Sequence, residues 1–171
     1  MNYLQKKIWN FVEKRAINKG FKPLDFPENE PERQTIINKY NLVERNLDKD
    51  LRFSALPKLA AYLTESPMAA INIISENSQH CKSNYGYNSA LQYFGEEIPR
   101  TMSICQYLLN NNLQPLVIQD CSVDERTKAT FEAGGGTAPK FYAGSPIVKG
   151  GHVLGSVCVF DEEPKTINSN Q

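Results

Sequence analysis

Three charged residues lie close together in the segment LVIQDCSVDERT: Asp120, Asp124 and Arg126. Arginine presents a planar fork of N–H donors that matches a carboxylate or a phosphate. One hypothesis is that Arg126 binds an anionic ligand and that Asp120 orients the arginine. The alternative is an internal salt bridge that holds the surrounding loop, because paired charges often serve structure rather than binding.

The segment FYAGSPIV offers aromatic and small residues that suit the wall of a ligand pocket. Tyr142 combines an apolar ring with a hydroxyl group, and Gly144 would let a ligand or another backbone come close. The predicted ligand contacts in this segment are Phe141, Tyr142, Gly144 and Pro146. For all four residues, the alternative is ordinary packing in the hydrophobic core.

Arg100, Ser103 and Cys105 lie at the start of a predicted helix, Met102–Asn110. Free N–H groups at a helix N-terminus favour anions and lower the pKa of a nearby thiol. These three residues are therefore candidate ligand contacts, and oxidant sensing by Cys105 is a further hypothesis. Because Cys105 lies at least one turn inside the predicted helix, the influence of the terminus on its thiol is weak.

The four cysteines, Cys81, Cys105, Cys121 and Cys158, include no C-x-x-C pair, so the sequence predicts no zinc site. We expect free, buried thiols, since free cysteine behaves as a small hydrophobic residue. His80 and Cys81 are neighbours on a predicted strand, point to opposite faces and cannot form a catalytic pair. With no phosphate-binding loop, metalloprotease motif or nucleophile elbow, the sequence predicts no catalysis and specifies no cofactor.

The bulk composition excludes several classes of partner. Lys and Arg number 19, as do Asp and Glu, so the near-zero net charge predicts no general attraction to nucleic acid. No apolar run approaches the roughly 18 residues that span a membrane. The first residues, Met1–Arg15, are charged rather than apolar like a signal-peptide core. We therefore predict a cytoplasmic protein that does not bind membranes, and its 171 residues fit one domain.

Apolar residues recur at helical spacing in the first third of the chain. Helices are predicted over Leu4–Asn18, from Asn29 onward, and over Leu47–Leu63. Asn29 and Glu32 match a capping box, and Pro57 is expected to kink the third helix. A four-residue repeat predicts that the buried face of the third helix consists of Leu51, Ala55, Leu59 and Leu63.

From Met68 onward the hydrophobic period changes to that of strands. Strands are predicted over Met68–Ser75, Ser78–Tyr85, Leu116–Gln119, Lys140–Val148 and His152–Phe160. Gly150-Gly151 fits a tight turn between the last two strands. Strict alternation in the final strand predicts one face made of Val153, Gly155, Val157 and Val159. A short helix or loop is predicted for Asn88–Phe94 and a short helix for Val123–Glu132.

These elements predict an α+β fold, with helices on one face of an antiparallel sheet and a loop-rich pocket on the other. Six blocks in this order resemble the GAF domain of bacterial signalling proteins. They are NEPERQTIINKYNLVE, LDKDLRFSALPKLAAYL, AAINIISENSQHCKSNYG, PRTMSICQYLL, LVIQDCSVDERT and FYAGSPIVKGGHVLGSVCVFDEEP. The resemblance covers residues 27–164; residues 1–26 are interpreted as an N-terminal helix and linker, and residues 165–171 as a frayed tail.

The resemblance implies a sheet of about six antiparallel strands, backed by helices, with a ligand pocket on the opposite face under the middle segment. It also implies a cytoplasmic sensory module, often dimeric, joined to a histidine kinase, cyclase or transcription regulator. The predicted function is non-catalytic binding of an unidentified small molecule in bacterial signal transduction, including two-component systems. Closure of Gly134–Gly136 over the ligand would shift the packing of the terminal helices.

Two alternatives differ in class from this sensor. One is a thiol enzyme like the small GAF branch that reduces free methionine sulfoxide, although the cysteines here are not placed as in that branch. The other is an interaction domain with a vestigial pocket, which forms a homodimer through the N-terminal helix. The stripe Leu4, Ile8, Phe11 and Val12 of that helix could equally pack on its own domain or against a second copy.

Overall fold

The computed structural model describes residues 1–45, 47, 50–88, 96–136 and 138–167. The α-helices described there are α1 (Tyr3–Asn18), α2 (Glu30–Lys39), α3 (Leu51–Leu63) and α4 (Lys128–Ala133). Two 3-10 helices are η1 (Arg100–Met102) and η2 (Ile104–Asn110). The strands are β1 (Met68–Ile74), β2 (Ser78–Tyr85), β3 (Glu97–Pro99), β4 (Leu116–Ile118), β5 (Phe141–Lys149) and β6 (His152–Asp161).

All six strands form one antiparallel sheet in the order β3-β2-β1-β6-β5-β4. The turn between β5 and β6 uses Gly150 and Gly151, both with positive φ, as a tight hairpin requires. Helices α2 and α3 cover one face, where Ile37 packs on Ile73 and Ala61 packs on Ala69. The predicted α+β fold, with a six-stranded antiparallel sheet and helices on one face, is confirmed.

The opposite face of the sheet is covered by η2. Cys105, Leu108 and Leu109 of this 3-10 helix pack on strand residues such as Ala70 and Tyr142. The sequence predicted a continuous α-helix over Met102–Asn110, which is wrong. Ser103 has an extended backbone conformation, so it separates η1 from η2.

A bulge in β6 corrects the predicted alternation of its side chains. The register steps from Ile147 opposite Gly155 to Val148 opposite Val153, which leaves Leu154 as the extra residue. Val153 consequently joins the core under η2, whereas Leu154 packs with Ile37 on the helical face. Beyond the bulge the prediction is confirmed for Val159, which lies on the helical face, and Cys158, which lies under η2.

Helix α3 buries a different face from the one that the sequence predicts. The leucine repeat faces outward, and Leu51 is 83% exposed. Pro57 and Ala61 are the buried residues instead, because their small side chains let the helix lie close to β1 and β6. The helix also begins at Leu51 rather than at Leu47. The side chain of Asp50 caps this start by accepting a hydrogen bond from the Arg52 N–H.

The start of α2 also departs from its prediction. Asn29 has φ −91° and ψ 20°, away from the extended conformation of a side-chain cap, and within the described chain the predicted capping box does not form. Glu30, the next residue, binds two arginines instead. The buried residues of α2 are Ile37 and Arg33, and the burial of a charged side chain is explained by this pairing with Glu30.

Helix α1 packs on its own domain through its C-terminal half. Ala16 is buried against Phe21, Ala129 and Ala133, so α1 lies on α4. On another face of the same helix, Leu4 is 57% exposed and Phe11 is 61% exposed. In the described ranges, α1 included, the helices are too short or too polar to cross a membrane.

The remaining predictions concern connecting segments and the end of the chain. The short helix predicted over Val123–Glu132 begins later, at Lys128. The prediction for Asn88–Phe94 falls almost entirely outside the described residues. At the end of the domain, Lys165 donates to the carbonyls of Thr64 and Glu65 at 2.6 Å each.

Candidate functional site

Five polar side chains meet at the centre of the sheet face that η2 covers. Asn72 comes from β1, Tyr142 from β5, Ser156 and Cys158 from β6, and Cys105 from η2. All five are buried, and we call them the central polar cluster. Strand alternation brings them together: Asn72 of β1 lies opposite Ser156 of β6, and Cys158 lies two residues farther along β6, on the same face.

The two sulfur atoms form the middle of the cluster. Cys105 Sγ lies 4.0 Å from Cys158 Sγ. The Tyr142 hydroxyl donates to Cys105 Sγ at 3.3 Å, and the Asn72 amide donates to Cys158 Sγ at 3.2 Å and to Cys105 Sγ at 3.7 Å. Cys105 therefore receives two donors, whereas the Cys158 thiol itself donates to the Ala70 carbonyl at 3.6 Å.

Two polar atoms of the cluster have no hydrogen-bond partner among the residues that the structure describes. They are Asn72 Oδ1 and Ser156 Oγ, and both residues are fully buried. Ser156 lies close enough to affect the pKa of Cys105 and Tyr142, but without the geometry of a hydrogen bond. A buried polar group without a partner costs about 1–3 kcal/mol, so two side by side require a physical explanation.

The cluster separates the pKa values of its two thiols. Burial raises the pKa of Cys105, but Cys158, Ser156, Tyr142 and Asn72 outweigh burial and lower it to about 6. Burial and the neighbouring Cys105 raise the pKa of Cys158 well above its usual range. Cys105 is consequently the sulfur that ionises first.

An aromatic wall borders the cluster. The ring centroids of Tyr142 and Phe160 are 5.7 Å apart, and those of Phe160 and Tyr87 are 6.4 Å apart. Burial raises the pKa of Tyr87 and of Tyr142 well above the usual value, so both hydroxyl groups stay neutral. Both can therefore act as hydrogen-bond donors at neutral pH.

Gly144 is the predicted close-approach position, and the group that approaches it is Tyr142. A Cβ atom at Gly144 would lie 2.2 Å from the Tyr142 hydroxyl oxygen. The missing side chain therefore gives the tyrosine hydroxyl the room to reach Cys105. Phe141, predicted beside them, lies on the helical face with Ala61 because adjacent strand residues point to opposite sides. Pro146 is partly buried farther along β5.

Arg100 and Ser103 lie away from the central polar cluster. Arg100 Nη1 contacts Glu30 Oε1 at 3.0 Å, and its guanidinium carbon lies 4.3 Å from the ring centroid of Phe26. Glu30 also binds Arg33 through two N–H groups, at 2.9 and 2.7 Å. Ser103 donates to the side-chain oxygen of Gln79. Arg100 thus belongs to a buried ion network in which two arginines share one carboxylate.

The charged triplet lies in the loop before α4. Arg126 binds Asp124 through two N–H groups at 2.8 and 2.6 Å, which is the internal salt bridge of the alternative interpretation. Asp120 accepts hydrogen bonds from the backbone and side chain of Ser122 at 2.9 and 2.5 Å. The carbonyl of Arg126 accepts from the Tyr107 hydroxyl of η2 at 2.6 Å, so this loop is tied to η2.

The predicted ligand contacts therefore fall into separate places. Cys105, Tyr142 and Gly144 meet at the central polar cluster. A shallow groove between η1, η2 and α4 includes Ser103 and Arg126 in its wall. Across the residues with described positions, no three His, Cys, Asp or Glu side chains are placed to hold a metal ion. Asn72 and Ser156 were not predicted, although an asparagine inside the apolar strand MAAINII was the available signal.

The two buried serines provide a stability test of the unpaired hydroxyl. We expect Ser156→Ala to leave the free energy of unfolding unchanged or to raise it by about 1 kcal/mol, because it removes a polar group that lacks a partner. Ser103→Ala is the matched control: it leaves Gln79 without its donor and is expected to cost about 1–3 kcal/mol. Urea denaturation of both variants measures the difference. Equal destabilisation by the two substitutions would contradict it.

Comparison with known proteins places the fold in one class. No protein-family model matches the chain, and no curated protein matches its sequence. The GAF domain of a phosphoenolpyruvate-protein phosphotransferase from Coxiella burnetii aligns with a TM-score of 0.56 and 14% identity, covering 83% of each chain. The chain therefore has the GAF fold, as the sequence resemblance predicted.

Other structures with this fold come from different kinds of protein. A domain of a two-component sensor histidine kinase protein from Sinorhizobium meliloti has a TM-score of 0.55 and 13% identity, covering 71% of this chain and 78% of that one. Free methionine-R-sulfoxide reductase from Neisseria meningitidis, solved with its substrate, has a TM-score of 0.54 and 10% identity, covering 86% and 84%. At these identities the likeness defines the fold, and function has to be argued from the site.

Proposed function

We propose that this chain is a non-catalytic sensory domain of bacterial signal transduction that binds a small molecule at the central polar cluster. The observation that carries the proposal is the pair of buried atoms, Asn72 Oδ1 and Ser156 Oγ, that lack partners within the described structure. Turning the Asn72 amide would exchange its oxygen and nitrogen, but one end would still face the sulfurs and the other would still lack a partner. A bound ligand would satisfy both groups.

The cluster defines the chemistry of this ligand. Asn72 Oδ1 only accepts hydrogen bonds, so the ligand presents an N–H or O–H group to it, whereas Ser156 can donate or accept. Tyr142 and Phe160 supply an aromatic surface for an apolar part of the same molecule. The lowered pKa of Cys105 places a negative charge on its sulfur at neutral pH, which disfavours an anionic ligand here. Binding of an anion belongs instead to the groove beside Arg126.

Entry of the ligand requires η2 to move away from the sheet. A 3-10 helix has poorer hydrogen-bond geometry than an α-helix, so η2 can be displaced more easily than the strands below it. Tyr107 of η2 bonds the carbonyl of Arg126 just before α4, and α4 packs on α1 through Ala129 and Ala16. A shift of η2 would therefore reach the N-terminal helix. The ligand acts only through its different affinity for the two positions of η2.

The contacts that lead from η2 through α4 to α1 indicate where partner proteins would bind. The exposed apolar residues Leu4 and Phe11 of α1 are the proposed contact of a homodimer. A histidine kinase, cyclase, phosphotransferase or transcription regulator connected to the domain would receive the signal in the cytoplasm. The wall of the Arg126 groove, including Ser103, remains a proposed secondary contact of the ligand.

Native mass spectrometry of freshly purified protein tests the proposal, together with its absorption spectrum. We expect the native mass to exceed the denatured mass by that of one small molecule per chain. Asn72→Leu, which keeps the side-chain volume similar and removes the amide, is expected to abolish that extra mass. Glu125→Ala, which removes the surface partner of Lys128, is the control expected to retain it. Retention of the molecule by Asn72→Leu would contradict binding at the cluster.

One observation favours the thiol enzyme as a second candidate: Cys105 and Cys158 are neighbours, and the pKa of Cys105 is lowered to about 6. Both sulfurs are nevertheless buried under η2, where a molecule as large as methionine sulfoxide does not reach them in this conformation. We therefore expect no turnover of free methionine sulfoxide in the presence of dithiothreitol. Turnover by the wild type that disappears in Cys105→Ser would establish the enzyme instead.

A further inference from the structure

We propose that Cys105 and Cys158 form a redox pair, which a hydroperoxide oxidises to an intramolecular disulfide. The proposal does not depend on the ligand, because it rests on the position of the two sulfurs and on the protein groups that contact them. None of the four cysteines forms a disulfide in this structure, and this pair lies with its sulfurs 4.0 Å apart.

The fold allows these sulfurs to approach each other. A disulfide bond is about 2.05 Å long, so the sulfurs must move roughly 2 Å closer. Cys158 is fixed, because β6 pairs with β1 on one side and β5 on the other. Cys105 lies on the short 3-10 helix η2, which can shift toward the sheet with less disruption. The closing movement is therefore made by η2.

The chemistry proceeds in two balanced steps. The Cys105 thiolate attacks the terminal oxygen of the hydroperoxide: an S–O bond forms, the O–O bond breaks, and the alcohol or water leaves after taking up a proton. Cys158 then attacks the Cys105 sulfur, so that the S–S bond forms and the S–O bond breaks. The hydroxide that leaves takes the thiol proton of Cys158 and departs as water. The two thiols lose two electrons in total, and the hydroperoxide gains them.

The surroundings of Cys105 favour the first step. The Tyr142 hydroxyl and the Asn72 amide both donate to its sulfur, which stabilises a thiolate inside the core. Cys158 also receives the Asn72 amide, at 3.2 Å, but it has no contact with the Tyr142 hydroxyl and its own thiol donates to the Ala70 carbonyl. Cys105 is therefore the sulfur that is oxidised first, and Cys158 is the sulfur that resolves it.

Cys121 provides a matched control within the same core. It is as buried as Cys158, but burial raises its pKa to about 11, so its thiol stays protonated and unreactive. Cys81 is half-buried and packs against the edge of the same core, which makes it the competing partner for either sulfur. The proposal therefore predicts one specific disulfide, Cys105–Cys158, among those that four cysteines could form.

The test is oxidation of the full-length folded protein with hydrogen peroxide, followed by mass measurement after denaturation and alkylation. We expect the wild type and Cys121→Ser to lose two hydrogen atoms per chain, to resist alkylation at Cys105 and Cys158, and to recover with dithiothreitol. A peptide map is expected to show Cys105 linked to Cys158. Cys158→Ser is expected to accumulate a sulfenic acid at Cys105, which dimedone traps, whereas Cys105→Ser does not.

Several outcomes overturn the proposal. They are an unchanged mass, a linkage that involves Cys81 or Cys121, or a covalent dimer in place of the internal bond. If either serine variant fails to fold, the peptide maps of the wild type and Cys121→Ser still decide the pairing. Because the readout is the mass of the chain itself, failure here leaves the ligand proposal untouched, and absence of a ligand leaves this one untouched.

Discussion

Glu30→Ala is expected to lower the free energy of unfolding by about 3–5 kcal/mol, because it leaves two buried arginines without their carboxylate. The side chain of Arg33 is 1% exposed and that of Arg100 is 7% exposed, whereas Glu30 itself is 12% exposed. Among the residues that the structure describes, Arg33 would keep its bond to the carbonyl of Ile74, and the longer contact of Arg100 with the carbonyl of Glu76 cannot replace a charge. Urea denaturation at neutral pH measures the loss.

The same network predicts how stability depends on pH. Burial raises the pKa of Glu30, but its hydrogen bonds to Arg33 and Gln34 and the charges of Arg33 and Arg100 outweigh burial, so the pKa is lowered on folding. A lowered pKa means that Glu30 stabilises the fold above its ordinary value of 4.5 and that this contribution disappears as the pH falls through the folded pKa. We expect this acid-dependent loss in the wild type and a smaller one in Glu30→Gln.

Glu125→Ala is the control for both experiments. Glu125 pairs with Lys128 on the surface, where solvent screens the charges, so its removal is expected to change little. If Glu30→Ala proves as mild as Glu125→Ala, the two arginines do not depend on Glu30 and the network contributes little.

Gly155→Ala is expected to cost more than about 3 kcal/mol or to prevent folding, because the added methyl group would overlap the neighbouring backbone. Its Cβ would lie 1.9 Å from the carbonyl oxygen of Asn72 and 3.0 Å from the Cα of Ile73. Strand β1 would have to separate from β6 beside the central polar cluster, since a carbonyl cannot rotate away as a side chain can. Circular dichroism and thermal unfolding of the purified variant measure the effect.

Gly144→Ala is the matched comparison for Gly155→Ala. There the added methyl group would meet the hydroxyl end of Tyr142, a side chain that can swing aside. We expect Gly144→Ala to fold with a smaller loss of stability and to weaken the contact between Tyr142 and Cys105. Equal stability of Gly155→Ala and the wild type would mean that β1 and β6 lie farther apart at Gly155 than described.

The sheet could be predicted from the sequence because its signals are local. Alternation, isoleucine-rich runs and the Gly150-Gly151 turn each act over a few residues, and they predicted five of the six strands and the hairpin between β5 and β6. The face of α3 could not be predicted this way. Leu59 and Leu63 form a regular stripe, but the sheet below accepts the smaller Pro57 and Ala61 because they permit a closer approach.

The site was predictable only in part, and for a related reason. Tyr142, Gly144 and Cys105 were recognised from their residue types, but the cluster also needs Asn72 and Ser156 from other strands, which sequence spacing does not bring together. Arg100 was predicted as a ligand contact, whereas its charge is taken up by Glu30, 70 positions away. Long-range partners of this kind decide whether a charged residue is available to a ligand, and no local pattern encodes them.

Electron density at the central polar cluster tests the account most directly. Crystals of freshly purified protein, grown without added ligand, are expected to show density larger than a water molecule within hydrogen-bond distance of both Asn72 and Ser156, with η2 displaced from the sheet. A map in which those two side chains meet only protein atoms or a single water, with η2 fully packed, would contradict ligand binding at this position.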